Sequence, residues 1–248
     1  MILFSRSSEN NCLNPGIMAQ MQHALRGAAK DGSRFVLLGA VGNTFCAGLD
    51  LVYLSKSLGV DPDGNSDKIA EVLKNFVNHF IHFQKPIVAA VHGPALGLGA
   101  SILALCDIVW SSDKAWFQTP YATQGQTPDG CCSLTFPMIM GGTAASEMLL
   151  SGRKLTAKEA CDKGLVSQVF NSDTFTREVM ARVKKLASYH PLVLQECKSL
   201  TCCSVKADLE QANIRECETL KNIWVSSHAS QFMLQVLDRK LDLSDLRR

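Results

Sequence analysis

Hydrophobic and polar positions change their period along this chain, and the changes mark alternating strand-like and helix-like stretches. Phe35-Val36-Leu37-Leu38-Gly39-Ala40 is a short, continuously apolar run, the pattern of a strand buried on both faces. From Asn65 to Phe83 the apolar residues Ile69, Val72, Leu73, Phe76, Val77 and Phe80 recur at helical spacing, and Lys85-Pro86 closes the helix they predict. Ile87 to Val91 predicts a second buried strand, closed by His92-Gly93-Pro94. A glycine-rich turn follows, then a helix from about Gly99 to Leu105 and a strand from Ile108 to Trp110. Strands alternating with helices need crossover connections, so the fold class is α/β, with a core sheet covered by helices.

The second half is mostly helical. Thr156 and Glu159 have the spacing of a capping box, in which the Thr hydroxyl and the Glu carboxylate each satisfy a free amide of the first turn. Gly164 breaks that helix before a strand from Leu165 to Phe170. Amphipathic helices are expected over Thr174–Ala187, Val205–Trp224 and Ser230–Leu241. The longest linker expected is Gly59 to Asn65. One domain over 1–248 is expected, with a core over about 1–190 and a C-terminal helical extension over about 191–248. Met1-Ile2-Leu3-Phe4 opens abruptly in a strand pattern, which predicts that strands preceding it belong to a longer protein.

Composition removes several function classes. A formal net charge of +2 gives no polyelectrolyte surface for direct nucleic-acid binding. No apolar run reaches the roughly 18 residues of a membrane span, because Asp107 interrupts the longest. The ten cysteines contain no C-x-x-C and include the adjacent pairs Cys131/Cys132 and Cys202/Cys203, so reduced thiols are expected rather than a disulfide framework or a zinc site. His79 and His82 lack a third ligand nearby in sequence, and no metal is expected.

Two glycine turns carry the candidate chemistry. Gly97-Leu98-Gly99-Ala100-Ser101 lies between a strand and a helix, where first-turn amides have no intrahelical partner. Thr44-Phe45-Cys46-Ala47-Gly48-Leu49-Asp50 follows another buried strand. Each is by itself an ordinary tight turn; convergent, their amides could form an oxyanion hole.

In order and spacing, Phe-Cys-Ala-Gly-Leu-Asp, then Lys-Pro-Ile-Val-Ala-Ala-Val-His-Gly-Pro-Ala-Leu-Gly-Leu-Gly-Ala, then Cys-Asp-Ile-Val-Trp and Phe-Gln-Thr-Pro resemble the crotonase (enoyl-CoA hydratase/isomerase) superfamily. The resemblance implies a ββα spiral core whose C-terminal helices serve oligomerisation, as a homotrimer or dimer of trimers. It also implies coenzyme A or an acyl-CoA as ligand, an oxyanion hole from the backbone amides of Leu49 and Leu98, and cofactor contacts along Ala47, Leu49, Asp50, Leu51 and Leu98. Leu98 stands where the family usually has glycine. The amide survives that change, while the side chain occupies room beside it.

At the two positions where hydratases carry glutamates, this chain has Ser101 and Tyr121. Neither is a base at neutral pH unaided, so ordinary hydratase chemistry is not expected. Asp129 resembles in position the single catalytic glutamate of one branch of enoyl-CoA isomerases, and is the candidate acid/base. It could equally cap the helix beginning near Gly130. His92 is expected to be a satisfied polar residue.

Ala-Leu-Gly-Leu-Gly-Ala-Ser-Ile-Leu, Lys-Ala-Trp-Phe-Gln-Thr-Pro-Tyr, and Leu-Glu-Gln-Ala-Asn with the nearby Glu216-Cys217-Glu218 look most like the C-terminal domain of chromodomain Y-like corepressors. Their N-terminal chromodomain is outside this chain. That resemblance implies a nuclear domain that binds CoA or acyl-CoA and recruits histone-modifying corepressor proteins, with weak or no hydratase activity. The alternative is an active acyl-CoA isomerase or crotonyl-CoA hydratase using Asp129.

Overall fold

A computed structural model describes residues 1–226 of the chain. Five strands form an all-parallel sheet in the order β1-β2-β3-β5-β8: β1 Ile2–Phe4, β2 Val36–Ala40, β3 Ile87–Val91, β5 Ile108–Ser112 and β8 Gln168–Phe170. A smaller sheet joins β4 Ala95–Leu96, β6 Trp116–Gln118 and β7 Leu155–Thr156, with β4–β6 parallel and β6–β7 antiparallel.

The central strands are apolar throughout because the sheet is covered on both faces. Alternate side chains part to opposite sides, as the two-residue period demands. Leu37, Val88, Trp110 and Phe170 gather under α8 (Phe175–Leu186), whose Phe175 and Val179 complete that layer. Val36, Leu38, Ile87, Ala89 and Val109 face the larger core. That core is closed by α1 (Pro15–Lys30), α3 (Pro62–Ile81) and α10 (Lys206–Trp224), with α3 packed between the other two.

The expected capping box is present: the Thr156 hydroxyl accepts from the Glu159 amide, and the Glu159 carboxylate accepts from the Thr156 amide, at the start of α7 (Ala157–Asp162). Three expectations change. The stretch 59–65 is not a linker: α2 (Leu51–Val60) and α3 meet at Asp61, whose carboxylate caps α3 by accepting from the Gly64 amide at 3.0 Å. Pro62 at the first helical position cannot donate there anyway, so it starts the helix rather than ending one. The helix of residues 99–105 is two pieces, α4 (Leu98–Ser101) and a 3-10 turn over Ile102–Leu105. The strand of residues 165–170 is formed only from Gln168. Helices α5 (Cys132–Met140), α6 (Gly142–Ser151) and α9 (Pro191–Cys202) complete the described chain. The helix expected over Ser230–Leu241 lies outside the described residues.

All ten cysteines are free thiols. The His92 ring bonds the Gly42 carbonyl at 2.7 Å. His79 bonds Asn75 and Arg26, and His82 lies 3.4 Å from Glu210, so each histidine has a partner of its own.

Candidate functional site

The loop after β2 is tied on both sides. Leu96 N–H donates to Cys46 O at 2.8 Å and Phe45 N–H to Pro94 O at 2.9 Å, joining this loop to the one after β3. On the other side Leu13 N–H donates to Gly48 O and Asp50 N–H to Leu13 O, at 2.8 and 2.9 Å. The buried Asn11 side chain adds a bond to Thr44 O at 2.8 Å.

Glycines allow the loops to approach this closely. Gly48 has φ +81°, and a Cβ there would stand 2.8 Å from Leu96 O and 3.3 Å from Leu98 N. A Cβ on Gly99 would stand 2.6 Å from Cys46 O. Both are contacts that only hydrogen permits, which is why Gly48 and Gly99 flank the junction. The turn at Gly97 (φ +47°, ψ −126°) then starts α4 at Leu98.

This arrangement leaves the Leu49 and Leu98 amides unspent. Leu49 sits in a parallel bridge opposite Leu13, in which the flanking Gly48 carbonyl and Asp50 amide make the bonds. Leu98 is the first residue of its helix, where amides lack an intrahelical acceptor. Neither amide donates a turn or loop hydrogen bond among the described residues. Ala47, Leu49, Asp50 and Leu51 are half-buried beside them. Asp50 also caps α2, accepting from the Tyr53 amide at 2.9 Å.

Ser101, Tyr121 and the candidate acid/base Asp129 converge. Tyr121 O–H donates to Asp129 Oδ1 at 2.6 Å. Ser101 Oγ lies 2.6 Å from Tyr121 OH, 3.1 Å from Asp129 Oδ1 and 3.0 Å from Gly97 O. Ser101 has a single proton, so it satisfies one of these acceptors at a time. The two hydroxyls therefore bond each other and the Asp129 carboxyl.

The cluster is sealed: Ser101 is 0% exposed, Tyr121 and Asp129 2% each, and Leu98 0%. Gly130, at φ +62°, brings the Asp129 segment onto α4, since a Cβ there would meet Ser101 Cβ at 2.8 Å and Leu98 Cδ1 at 3.1 Å. The Leu98 side chain thus fills space next to Asp129. Burial is the main cause that raises the Asp129 carboxyl to about 7, opposed by the Tyr121 and Ser101 hydrogen bonds and reinforced by the Glu216 charge. Burial, with the Asp129 charge, pushes the Tyr121 phenol well above its usual range, so it serves as a donor and not as a base.

The capping role considered for Asp129 belongs to another residue. The Asp129 carboxyl faces the two hydroxyls, while Glu216 on α10 accepts from the Cys131 amide (Oε2, 2.7 Å) and the Ser133 amide (Oε1, 2.8 Å) at the start of α5. Trp224, also on α10, donates its indole N–H to Gln126 Oε1 at 2.9 Å. The sequence carried a signal for both: Ala212, Asn213, Glu216, Cys217, Leu220 and Trp224 form one buried helical stripe, and a glutamate within such a stripe needs partners. Among the described residues no group of three or more His, Cys, Asp or Glu could hold a metal ion.

Comparison with known proteins places the chain in a family. The family model described as enoyl-CoA hydratase/isomerase matches residues 1–234. Human "Chromodomain Y-like protein" is 60% identical over 242 residues, covering 98% of this chain and 40% of that protein. The chain therefore spans about two fifths of that relative's length. Human "Enoyl-CoA delta isomerase 2" is 38% identical over 98% of this chain and 61% of its own. Among solved structures, an enoyl-CoA hydratase from Mycobacterium avium subsp. paratuberculosis K-10 superimposes with a TM-score of 0.85 at 27% identity, over 94% of this chain and 92% of that one. The fold is the α/β crotonase fold, with its parallel sheet and C-terminal helices, and the chain belongs to the enoyl-CoA hydratase/isomerase family.

Proposed function

We propose that this chain is the CoA- or acyl-CoA-binding domain of a nuclear corepressor of the chromodomain Y-like kind, and that it holds a thioester without hydrating it. One observation carries the reading: Ser101, Tyr121 and Asp129 bond one another behind a closed wall at the positions where acid/base groups are needed. Hydration requires one group to activate water and another to protonate carbon. A serine and a phenol held far from ionisation supply neither.

The thioester carbonyl would lie between the Leu49 and Leu98 amides, whose donors are unspent. The rest of the CoA would run along Ala47, Asp50 and Leu51. By relation to the chromodomain Y-like proteins, the domain acts in the nucleus, assembles as a homotrimer or dimer of trimers through its C-terminal helices, and recruits histone-modifying proteins.

A second reading keeps an acyl-CoA isomerase with Asp129 as acid/base. The carboxyl raised to about 7 favours it, since a group that both takes and gives a proton works best near the operating pH. The 38% identity to "Enoyl-CoA delta isomerase 2" adds to it. Titration with CoA and acetyl-CoA, alongside turnover of crotonyl-CoA and a 3-enoyl-CoA by wild type and Asp129→Asn, separates the two. Binding with no turnover supports the first reading. Isomerisation abolished in Asp129→Asn with CoA affinity retained establishes the second, and turnover that survives the substitution contradicts both.

A further inference from the structure

We propose that α10 is the holder of the Asp129 segment, with Glu216 as its positioning residue. The proposal deepens the thioester-site reading, on which it rests, by naming what keeps the acyl end of that site in shape.

The segment from Gln126 to Ser133 has no regular structure before α5, yet it carries the only carboxyl in contact with Ser101 and Tyr121 among the described residues. It is gripped from one helix at both ends. Trp224 N–H holds the Gln126 side chain on one side of Asp129; Glu216 holds the Cys131 and Ser133 amides on the other. These contacts join residues 83 to 98 positions apart in sequence, so no local preference would produce them. Glu216 is 5% exposed and Trp224 1%. Asn213, on the same stripe, bonds Lys74 O and Asn78 Oδ1 and so fixes α10 to α3. The holder is itself anchored.

Chemistry supports a carboxylate here. Cys131 has φ +66°, an uncommon conformation for a non-glycine residue. Two charge-assisted bonds from Glu216 hold that turn and supply acceptors to amides that α5 leaves free. A glutamine could accept from one amide only, because its second terminal atom is a donor.

Glu216 also acts on Asp129 through space. The titratable groups that face Asp129 are Tyr121, Cys132, Cys131 and Cys46, together with Glu216 and Cys217 from α10. Burial raises the phenol and all four thiols, and the Glu216 charge adds to the burial that raises Asp129. Burial raises Glu216 too, while the Ser133 and Cys131 bonds and Arg215 draw it down.

The test reads the unliganded protein, so its result is independent of whether CoA binds. In Glu216→Gln, the Asp129 carboxyl carbon, followed by nuclear magnetic resonance, should titrate at lower pH than in wild type. The Cys131 or Ser133 amide should lose hydrogen-exchange protection. A residue that merely packs would leave the Asp129 midpoint in place. Wild type provides a check that needs no folded variant: the Cys131 and Ser133 amide resonances should titrate with the midpoint of the Glu216 carboxyl carbon. An unmoved Asp129 midpoint in Glu216→Gln, or wild-type amides that ignore Glu216, overturns the proposal.

Discussion

Replacing Asp129 by asparagine should change how stability depends on pH, and the size of the change follows from the environment of this carboxyl. Folded, it titrates at about 7 against 3.8 for an unperturbed aspartate. The folded protein therefore binds more protons than the unfolded chain between those values, and its stability falls as pH rises through that window. The difference is about 3 pH units at 1.36 kcal/mol each, on the order of 4 kcal/mol in all. Asparagine has no charge to bury and keeps an oxygen for Tyr121 and Ser101. Its amide group adds an offset that does not vary with pH. Urea unfolding of both proteins from about pH 4.5 to 8 isolates the effect, because the other titrating groups largely cancel in the difference. Wild type should lose most of those roughly 4 kcal/mol relative to Asp129→Asn across the range. A constant difference, or a wild type that gains on the variant as pH rises, refutes the reasoning, since the latter is the behaviour of a carboxylate stabilised by its surroundings.

Tyr121→Phe removes the 2.6 Å donor to Asp129, so the Asp129 midpoint should move upward and stability at pH 8 should fall by about 1.5–3 kcal/mol, read in the same urea series. An unchanged midpoint would show that the phenol does not support the carboxylate. Gly99→Ala puts a methyl 2.6 Å from the Cys46 carbonyl and should part the two loops that carry the Leu49 and Leu98 amides. CoA titration heat should then disappear while circular dichroism retains the helices; undiminished binding would place the thioester elsewhere.

Much of the fold was legible because it follows from burial. The runs that became β2 and β3 are apolar throughout, as a parallel strand covered on both faces must be. Helices α3 and α10 show their buried stripes at helical spacing. Helix α1 carries a start signal, Asn14 as cap and Pro15 at the first position, but only Met18, Met21 and Leu25 are fully buried along its length. Helix α9 buries no residue fully and so offers no stripe to find. Asp61-Pro62 read as a loop because the same residue types open helices and form turns.

The site was legible as residues and not as contacts. Ser101, Tyr121 and Asp129 stand out against the family's glutamates, yet their bonding depends on three separated segments meeting. Whether Asp129 caps α5 could not be read locally, since the acceptor that performs that task arrives from Glu216, 85 positions beyond Cys131. Leu98 was legible as a side chain beside a useful amide; its packing near Gly130 required the fold.

A domain that binds a CoA thioester without hydrating it should return crotonyl-CoA with no water added. The most direct test is to incubate the protein with crotonyl-CoA, isolate the complex, and identify the released ligand by mass spectrometry. Crotonyl-CoA should be captured and recovered at its original mass. Recovery with the mass of one added water, or failure to capture the thioester at all, would contradict the proposed function.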